Sequence, residues 1–120
     1  PHLAPHANMV VVSSQLATRG SPHGADYAAS KAALSTWARS LALAVGPEGK
    51  RVNVLAPGYV DTDILAGDSD EKRNQRIQEV PLKRIGTGDD MASIVSFLLS
   101  NDAAYITGSV LHANGGLYLP

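Results

Sequence analysis

The sequence predicts an α/β fold, a parallel sheet with helices on both of its faces. Three observations carry that expectation. Short apolar runs rich in Val alternate with longer stretches of helical periodicity, in the order β-α-β-polar insert-α-β. The first run, Met9 to Val12, is apolar throughout instead of alternating, as in a strand covered on both faces. The 120 residues are 44% hydrophobic and 18% charged, a balance that builds one small core.

Each element has its own local reason. Residues 1 to 8 hold two Pro and two His and read as a loop. Met9 to Val12 reads as a strand that ends at Ser13 and Ser14. Gln15 to Asp26 contains Gly20, Pro22 and Gly24 and reads as a loop. A long helix is expected from Tyr27 to Val45. Tyr27, Lys31, Leu34, Ala38, Leu41 and Val45 alternate at spacings of four and three, which is one helical face. Asp26 is the expected N-cap, and Gly46–Pro47 the stop. Arg51 to Ala56 alternates apolar and polar residues and reads as a second strand, ended by Pro57 and Gly58. Asp61 to Val80 is mostly polar, with room for a short, mobile helix. Asp89 or Asp90 should cap a last helix whose apolar stripe is Met91, Ile94, Val95, Leu98 and Leu99. Ser109 to His112 reads as a third strand, broken by Gly115–Gly116. Strands alternating with helices imply right-handed crossovers.

Composition excludes several functions. The net charge is −1 and no basic patch is visible, which argues against nucleic acid or an anionic membrane as partner. No apolar run is long enough to span a bilayer, and the first residues lack the pattern of a signal peptide. There is no cysteine, so disulfides, thiolate metal sites and a Cys nucleophile are excluded. A cytoplasmic location is the expectation. No metal site is expected: His2 and His6 are four apart, but Pro5 opposes a helix there.

Tyr27 and Lys31, four apart on the long helix, should lie one above the other. An ammonium beside a phenol favours the phenolate, which suits the phenol to acid–base work near neutral pH. Ser14 closes a strand just ahead of that helix, and ligands of α/β sheets bind beyond the carboxyl ends of strands. A hydroxyl there is placed to hold a carbonyl or alcohol oxygen. A Tyr and Lys at this spacing also occur on ordinary surface helices, so context decides.

That context is specific. VVVSSQLATRGSPHGADYAASKAALSTWARSLA, residues 10 to 42, resembles the active-site region of the short-chain dehydrogenases/reductases. A strand ends in Ser-Ser, a Gly-containing loop follows, and YxASKAAL opens a helix. Ser14 stands thirteen residues before Tyr27, the family's spacing of catalytic Ser and Tyr. RVNVLAPGYVDT, residues 51 to 62, resembles the family's next strand and Pro-Gly turn, and residues 81 to 120 resemble its last helix and strand. The resemblance implies the C-terminal part of a doubly wound, Rossmann-like sheet. It also implies hydride transfer between NAD or NADP and an alcohol or ketone. Tyr27 would be the general acid or base. Lys31 would favour its phenolate and hydrogen-bond the nicotinamide ribose. Ser14 would orient the substrate oxygen. Pro57 and Gly58 would form the floor under the nicotinamide, the Val60 backbone would meet its carboxamide, and Thr62 would add a hydroxyl contact. Gln15, His23, Ile64 and Leu65 are candidate substrate contacts. The look is nearest to the branch of 3-oxoacyl-carrier-protein reductases and sugar or polyol dehydrogenases.

The family's Gly-rich phosphate turn is not found. Gly20 and Gly24 copy its first spacing, but Asp26 stands where the third Gly belongs. The 120 residues are therefore expected to form one partial domain that lacks the phosphate-binding half, as a fragment or as one of two chains. Alone the chain should be inactive, and oligomeric or poorly soluble. Its first strand would be an open apolar edge. Ala29, Ala33, Thr36, Ser40 and Ala44 form a small-residue face suited to packing on another helix, and the resemblance implies a homo-oligomer.

Other candidates have plainer readings. Asp61 and Asp63 read as helix caps, Trp37 as core or interface, and His112 as packed or at an interface. Asp68 to Glu79 has the profile of a substrate lid, with Ile77 and Val80 as further contacts, or of a solvated loop. A function of a different class also fits the missing phosphate site: a non-catalytic module that keeps only the family's dimerising or binding surfaces.

Overall fold

The computed structural model describes residues 3–120. Three strands, β1 (Asn8–Val12), β2 (Arg51–Pro57) and β3 (Val110–Ala113), form one parallel sheet in the order β1-β2-β3. Val11 pairs with Val54 and Leu55 with Leu111 in register, so the three strands end together at their carboxyl edge. The helices are α1 (Leu16–Arg19), α2 (Ala25–Val45), α3 (Asp70–Glu79) and α4 (Gly88–Leu99). His2 lies outside the described residues, and the described residues hold no cluster that could bind a metal ion.

The expected α/β architecture is present. Val11, Val52 and Val54 turn one face of the sheet to Ala38, Ala42 and Val45 of α2. Alternation then points Leu55 to the opposite face. There Leu55 and Leu98 of α4 are each 1% exposed, and α4 lies against β1 and β2. Helices therefore cover both faces.

Several expected details differ. Gln15 to Asp26 is not all loop. The Ser14 Oγ accepts the Leu16 amide at 3.1 Å and opens the short helix α1, which Gly20 ends at φ +79°. α2 begins two residues early, so Gly24 takes the N-cap position. Asp26 sits inside the first turn and makes no cap bond, although its charge suits that helix end. The buried residues of α2 are Ala28, Ser35, Ala38, Ala42 and Val45, rotated from the expected stripe. Small side chains let the helix approach the sheet, while Leu34 and Leu41 pack at the margin of the core.

The alternation of β2 suggested one polar face, yet Asn53 is buried. Its Nδ2 donates to the Ile106 carbonyl at 2.8 Å and its Oδ1 accepts the Ser109 amide at 3.1 Å. The side chain thereby pins the turn into β3. The polar insert does hold a helix, α3, capped by Ser69, whose side chain accepts the Lys72 amide. For α4 the cap is Thr87. Its Oγ1 accepts the Asp90 amide at 3.2 Å while the Asp90 carboxylate accepts the Thr87 amide at 2.8 Å, a reciprocal capping box. Asp89 caps nothing. Asp61 is no cap either, because its carboxylate binds Arg73; Asp63 makes no side-chain cap bond among the described residues.

Among the described residues β1 pairs only with β2, and Val12 is 50% exposed. Ala29, Ala33, Thr36, Ser40 and Ala44 all face outward on α2. Trp37 is 51% exposed and so is not a core residue of this chain.

Candidate active site

The carboxyl edge of the sheet gathers most of the residues singled out in the sequence. Ser14 follows β1 and is 9% exposed, with its Oγ turned to the Leu16 amide. Gln15 comes next and is also buried. Its amide donates to the Pro57 carbonyl at 3.0 Å, tying the end of β1 to the end of β2. The Gln15 Oε1 is buried with no partner among the described residues.

Tyr27 stands in the first turn of α2 and is 46% exposed. Lys31, one turn on, lies with its Nζ 5.8 Å from the Tyr27 ring centroid. That Nζ also donates to the Val12 carbonyl at 3.1 Å. Val12 is the last residue of β1, so its carbonyl holds the ammonium beside the phenol. The expected pairing of Tyr27 with Lys31 is thus present, and it is anchored to the strand that leads into Ser14.

Two residues that the sequence analysis passed over set this geometry. The Ser13 and Ser35 hydroxyls each lie 2.9 Å from the Lys31 carbonyl and 2.8 Å from one another. With one proton apiece, one of them donates to the carbonyl and the other donates to its partner hydroxyl. The pair bolts α2 to the end of β1 at the turn that carries Tyr27 and Lys31. The Ser-Ser doublet was the available signal, since two hydroxyls ending an apolar strand need two separate partners.

The second wall follows β2. Gly58 donates its amide to the Ala113 carbonyl at 3.1 Å. A Cβ at Gly58 would lie 2.7 Å from the Asn114 Cβ and 2.8 Å from its Cα, so only glycine allows this approach. Val60 forms an isolated parallel bridge with Gly86. The bridge uses the Tyr59 carbonyl at 2.9 Å and the Asp61 amide at 2.8 Å. The Val60 amide and carbonyl consequently point to the other side of the segment. The Thr62 hydroxyl donates to the Val60 carbonyl at a long 3.5 Å.

The remaining candidates are scattered. His23 is exposed in the loop before α2, and its amide donates to the Ser21 hydroxyl at 3.4 Å. Ile64 is 88% exposed whereas Leu65 is 8% exposed, so these neighbours face opposite ways. A cavity of about 500 Å³ lies among Tyr59, Met91, Ile94, His112 and Tyr118. It includes none of Ser14, Tyr27 or Lys31. His112 packs edge-on to Tyr118, and burial pushes its imidazole pKa down. Tyr59 is pushed up by burial and by Glu79, so its hydroxyl keeps its proton and donates to Glu79 at 2.9 Å. The Arg73 guanidinium holds the Asp61 carboxyl below the usual carboxylate range.

This geometry is that of the carboxyl edge of a Rossmann-like sheet with a Tyr and Lys presented on the following helix. Comparison with known proteins agrees. A family model described as enoyl-(acyl carrier protein) reductase matches residues 1–118. The chain is 42% identical over 114 residues to 3-oxoacyl-(acyl-carrier-protein) reductase FabG of Escherichia coli strain K12, covering 95% of this chain and 47% of the relative. It is 43% identical over 109 residues to the FabG of Chlamydia muridarum, covering 91% and 44%. Among solved structures, a short-chain dehydrogenase/reductase described as glucose/ribitol dehydrogenase from Brucella melitensis superposes with a TM-score of 0.88 at 32% identity, over 94% of this chain and 46% of that one. A 3-oxoacyl-(acyl-carrier-protein) reductase from the same species matches with the same TM-score and identity, over 94% and 42%. The chain belongs to the short-chain dehydrogenase/reductase family of oxidoreductases. It spans about half the length of the curated relatives it matches.

Proposed function

We propose that this chain carries the proton-transfer half of a nicotinamide-dependent oxidoreductase that interconverts a ketone and an alcohol. The observation that carries the reading is the Lys31 ammonium, held between the Val12 carbonyl and the Tyr27 ring at the carboxyl edge of the sheet. In reduction the Tyr27 hydroxyl gives its proton to the substrate oxygen, and in oxidation the phenolate takes one back. The fixed positive charge of Lys31 stabilises the phenolate left behind. Ser14 holds the substrate oxygen and the charge that develops on it. NAD or NADP would supply or accept the hydride.

The residues present suit the nicotinamide end of such a cofactor. The close approach at Gly58 keeps side chains off the floor after Pro57. The Val60 amide and carbonyl are a donor and an acceptor turned away from the Gly86 bridge and suited to a primary amide, with the Thr62 hydroxyl at a long 3.5 Å from that carbonyl. Lys31 is within reach of a ribose on the same side as Tyr27. The phosphate end requires a glycine-rich turn, and the described residues offer none, so we place it in a further segment of polypeptide. The open edge of β1 and the outward small-residue face of α2 support pairing with such a segment and with a second copy of the chain. No helix of the described residues is long and apolar enough to cross a membrane. A cysteine-free chain suits the cytoplasm.

The relatives named as reductases of 3-oxoacyl groups favour a 3-oxo thioester over a sugar or polyol as substrate. The test joins the chain to the dinucleotide-binding half of a relative. NADH and NADPH oxidation is followed with 3-oxoacyl thioesters, and NAD+ and NADP+ reduction with polyols. Turnover of a 3-oxoacyl thioester is the expected result. An assembly that binds a nicotinamide cofactor yet turns over no ketone or alcohol overturns the reading and leaves the non-catalytic module.

A further inference from the structure

α3 has no buried residue, so apolar packing contributes little to its seating. Its side chains instead reach back to the segment after β2 at two places. Arg73 donates two hydrogen bonds to the Asp61 carboxylate, at 3.0 and 2.8 Å. Glu79 accepts the Tyr59 hydroxyl at 2.9 Å, and the Arg76 guanidinium lies 4.6 Å over the Tyr59 ring. Arg76 is itself steadied by Asp68 at 2.6 Å. Tyr59 and Asp61 are the two neighbours of Val60.

Gly86 bonds the Tyr59 carbonyl and the Asp61 amide, and through the two planar peptides it sets which way the Val60 amide and carbonyl point. The bridge is a single isolated pair. The side chains of its two flanking residues brace it from the other element, because each ends on α3.

We propose that Arg73 and Glu79 are positioning residues that clamp the two flanks of Val60, so that the seating of α3 holds the bridged segment, and with it the Val60 amide and carbonyl, in place. The inference rests on the reading that this amide and carbonyl meet a cofactor carboxamide. The clamp itself is a property of the chain alone. A two-pronged guanidinium–carboxylate contact fixes orientation as well as proximity, which a lysine ammonium does not reproduce. Arg73 therefore acts through Asp61, and Glu79 through Tyr59. Neither is placed to touch the reacting atoms.

The test uses amide resonances and hydrogen exchange of the chain, isotope-labelled and joined to the dinucleotide-binding half of a relative. Arg73→Ala and Arg73→Lys should both shift the amide resonances of Val60 and Asp61. Arg73→Ala should also speed exchange across α3 by about fivefold, the scale of one exposed ion pair. Exchange at Val54, deep in the sheet, should stay unchanged. Val60 and Asp61 resonances that stay at their wild-type positions overturn the clamp. So does an Arg73→Ala effect spread equally to Val54, which would mark a general loss of stability. In the cofactor-competent assembly Arg73→Ala should raise KM for the nicotinamide cofactor about fivefold while kcat is kept. A shift at Val60 with no change in KM would sink the carboxamide reading of Val60 and leave the clamp standing.

Discussion

At the scale of single residues, polar side chains at strand ends decide how this fold closes. Asn53 is 1% exposed yet makes two hydrogen bonds to the turn that begins β3. Replacing it with Leu keeps volume and leaves the Ser109 amide unpaired, while the Ile106 carbonyl keeps only the Arg51 guanidinium at 3.2 Å. Asn53→Leu should lower stability by roughly 1 to 3 kcal/mol, read from the urea midpoint. An unchanged midpoint would mean that these groups find water. Ser13 works in the same way for α2, linking the end of β1 to Lys31 and Ser35. Such roles were poorly legible in the sequence. Asn53 looks like the polar face of a half-wet strand until both faces are known to be covered. Ser13 is overshadowed by Ser14, whose spacing to Tyr27 drew attention. Tyr27 and Lys31 were legible because helical geometry alone brings residues four apart together.

At the scale of elements, the termini explain both what the sequence disclosed and what it hid. The strands and the two long helices follow from apolar periodicity. The bounds of the strands and of α2 lie within a residue or two of expectation, whereas α4 begins at Gly88, before either expected cap. The caps did not follow. For α4 the sequence offered Asp89 and Asp90, but Thr87 is the residue whose oxygen faces the first turn. Asp90 completes the box from inside the helix, and Arg84 binds its carboxylate from outside. These contacts hold the Asp90 carboxyl well below the usual carboxylate range, chiefly through Arg84 and then the Thr87 amide. A carboxyl depressed in the folded state stabilises the fold above its unfolded pKa, and the gain fades as pH falls through the folded value. The start of α4 should therefore fray as pH drops below about 4 and regain protection above it. Hydrogen exchange of the first-turn amides reads this. In Asp90→Asn the same amides should exchange faster at neutral pH and lose their acid sensitivity. Retained acid sensitivity in that variant would place the titrating group elsewhere.

At the scale of the whole molecule, the chain gathers most of its candidate residues at one edge of the sheet and places β1 at the side of it. The carboxyl ends of β1 and β2 meet at Ser14, Gln15 and Pro57, and α2 brings Tyr27 and Lys31 to the same end. Among the described residues the other side of β1 carries no strand, and Val12 is half-exposed. An apolar strand with free backbone groups recruits another strand. The fold class was legible at this scale because alternation of strand and helix leaves few topologies. The seating of α3 was not, since it depends on Arg73 meeting Asp61 and on Glu79 meeting Tyr59. Polar pairs twelve and twenty residues apart leave no periodic trace in a sequence.

The central claim is that Tyr27 handles the proton of a nicotinamide-dependent reaction. The most direct measurement compares Tyr27→Phe with the wild type after each is joined to a dinucleotide-binding half, reading cofactor binding and turnover in the same samples. The hydroxyl of Tyr27 makes no hydrogen bond among the described residues and its ring is half-exposed, so the variant should fold and bind as the wild type does. Cofactor affinity should stay unchanged while turnover falls about a hundredfold to ten-thousandfold, the share of a positioned acid or base. Turnover at the wild-type rate in Tyr27→Phe would contradict it.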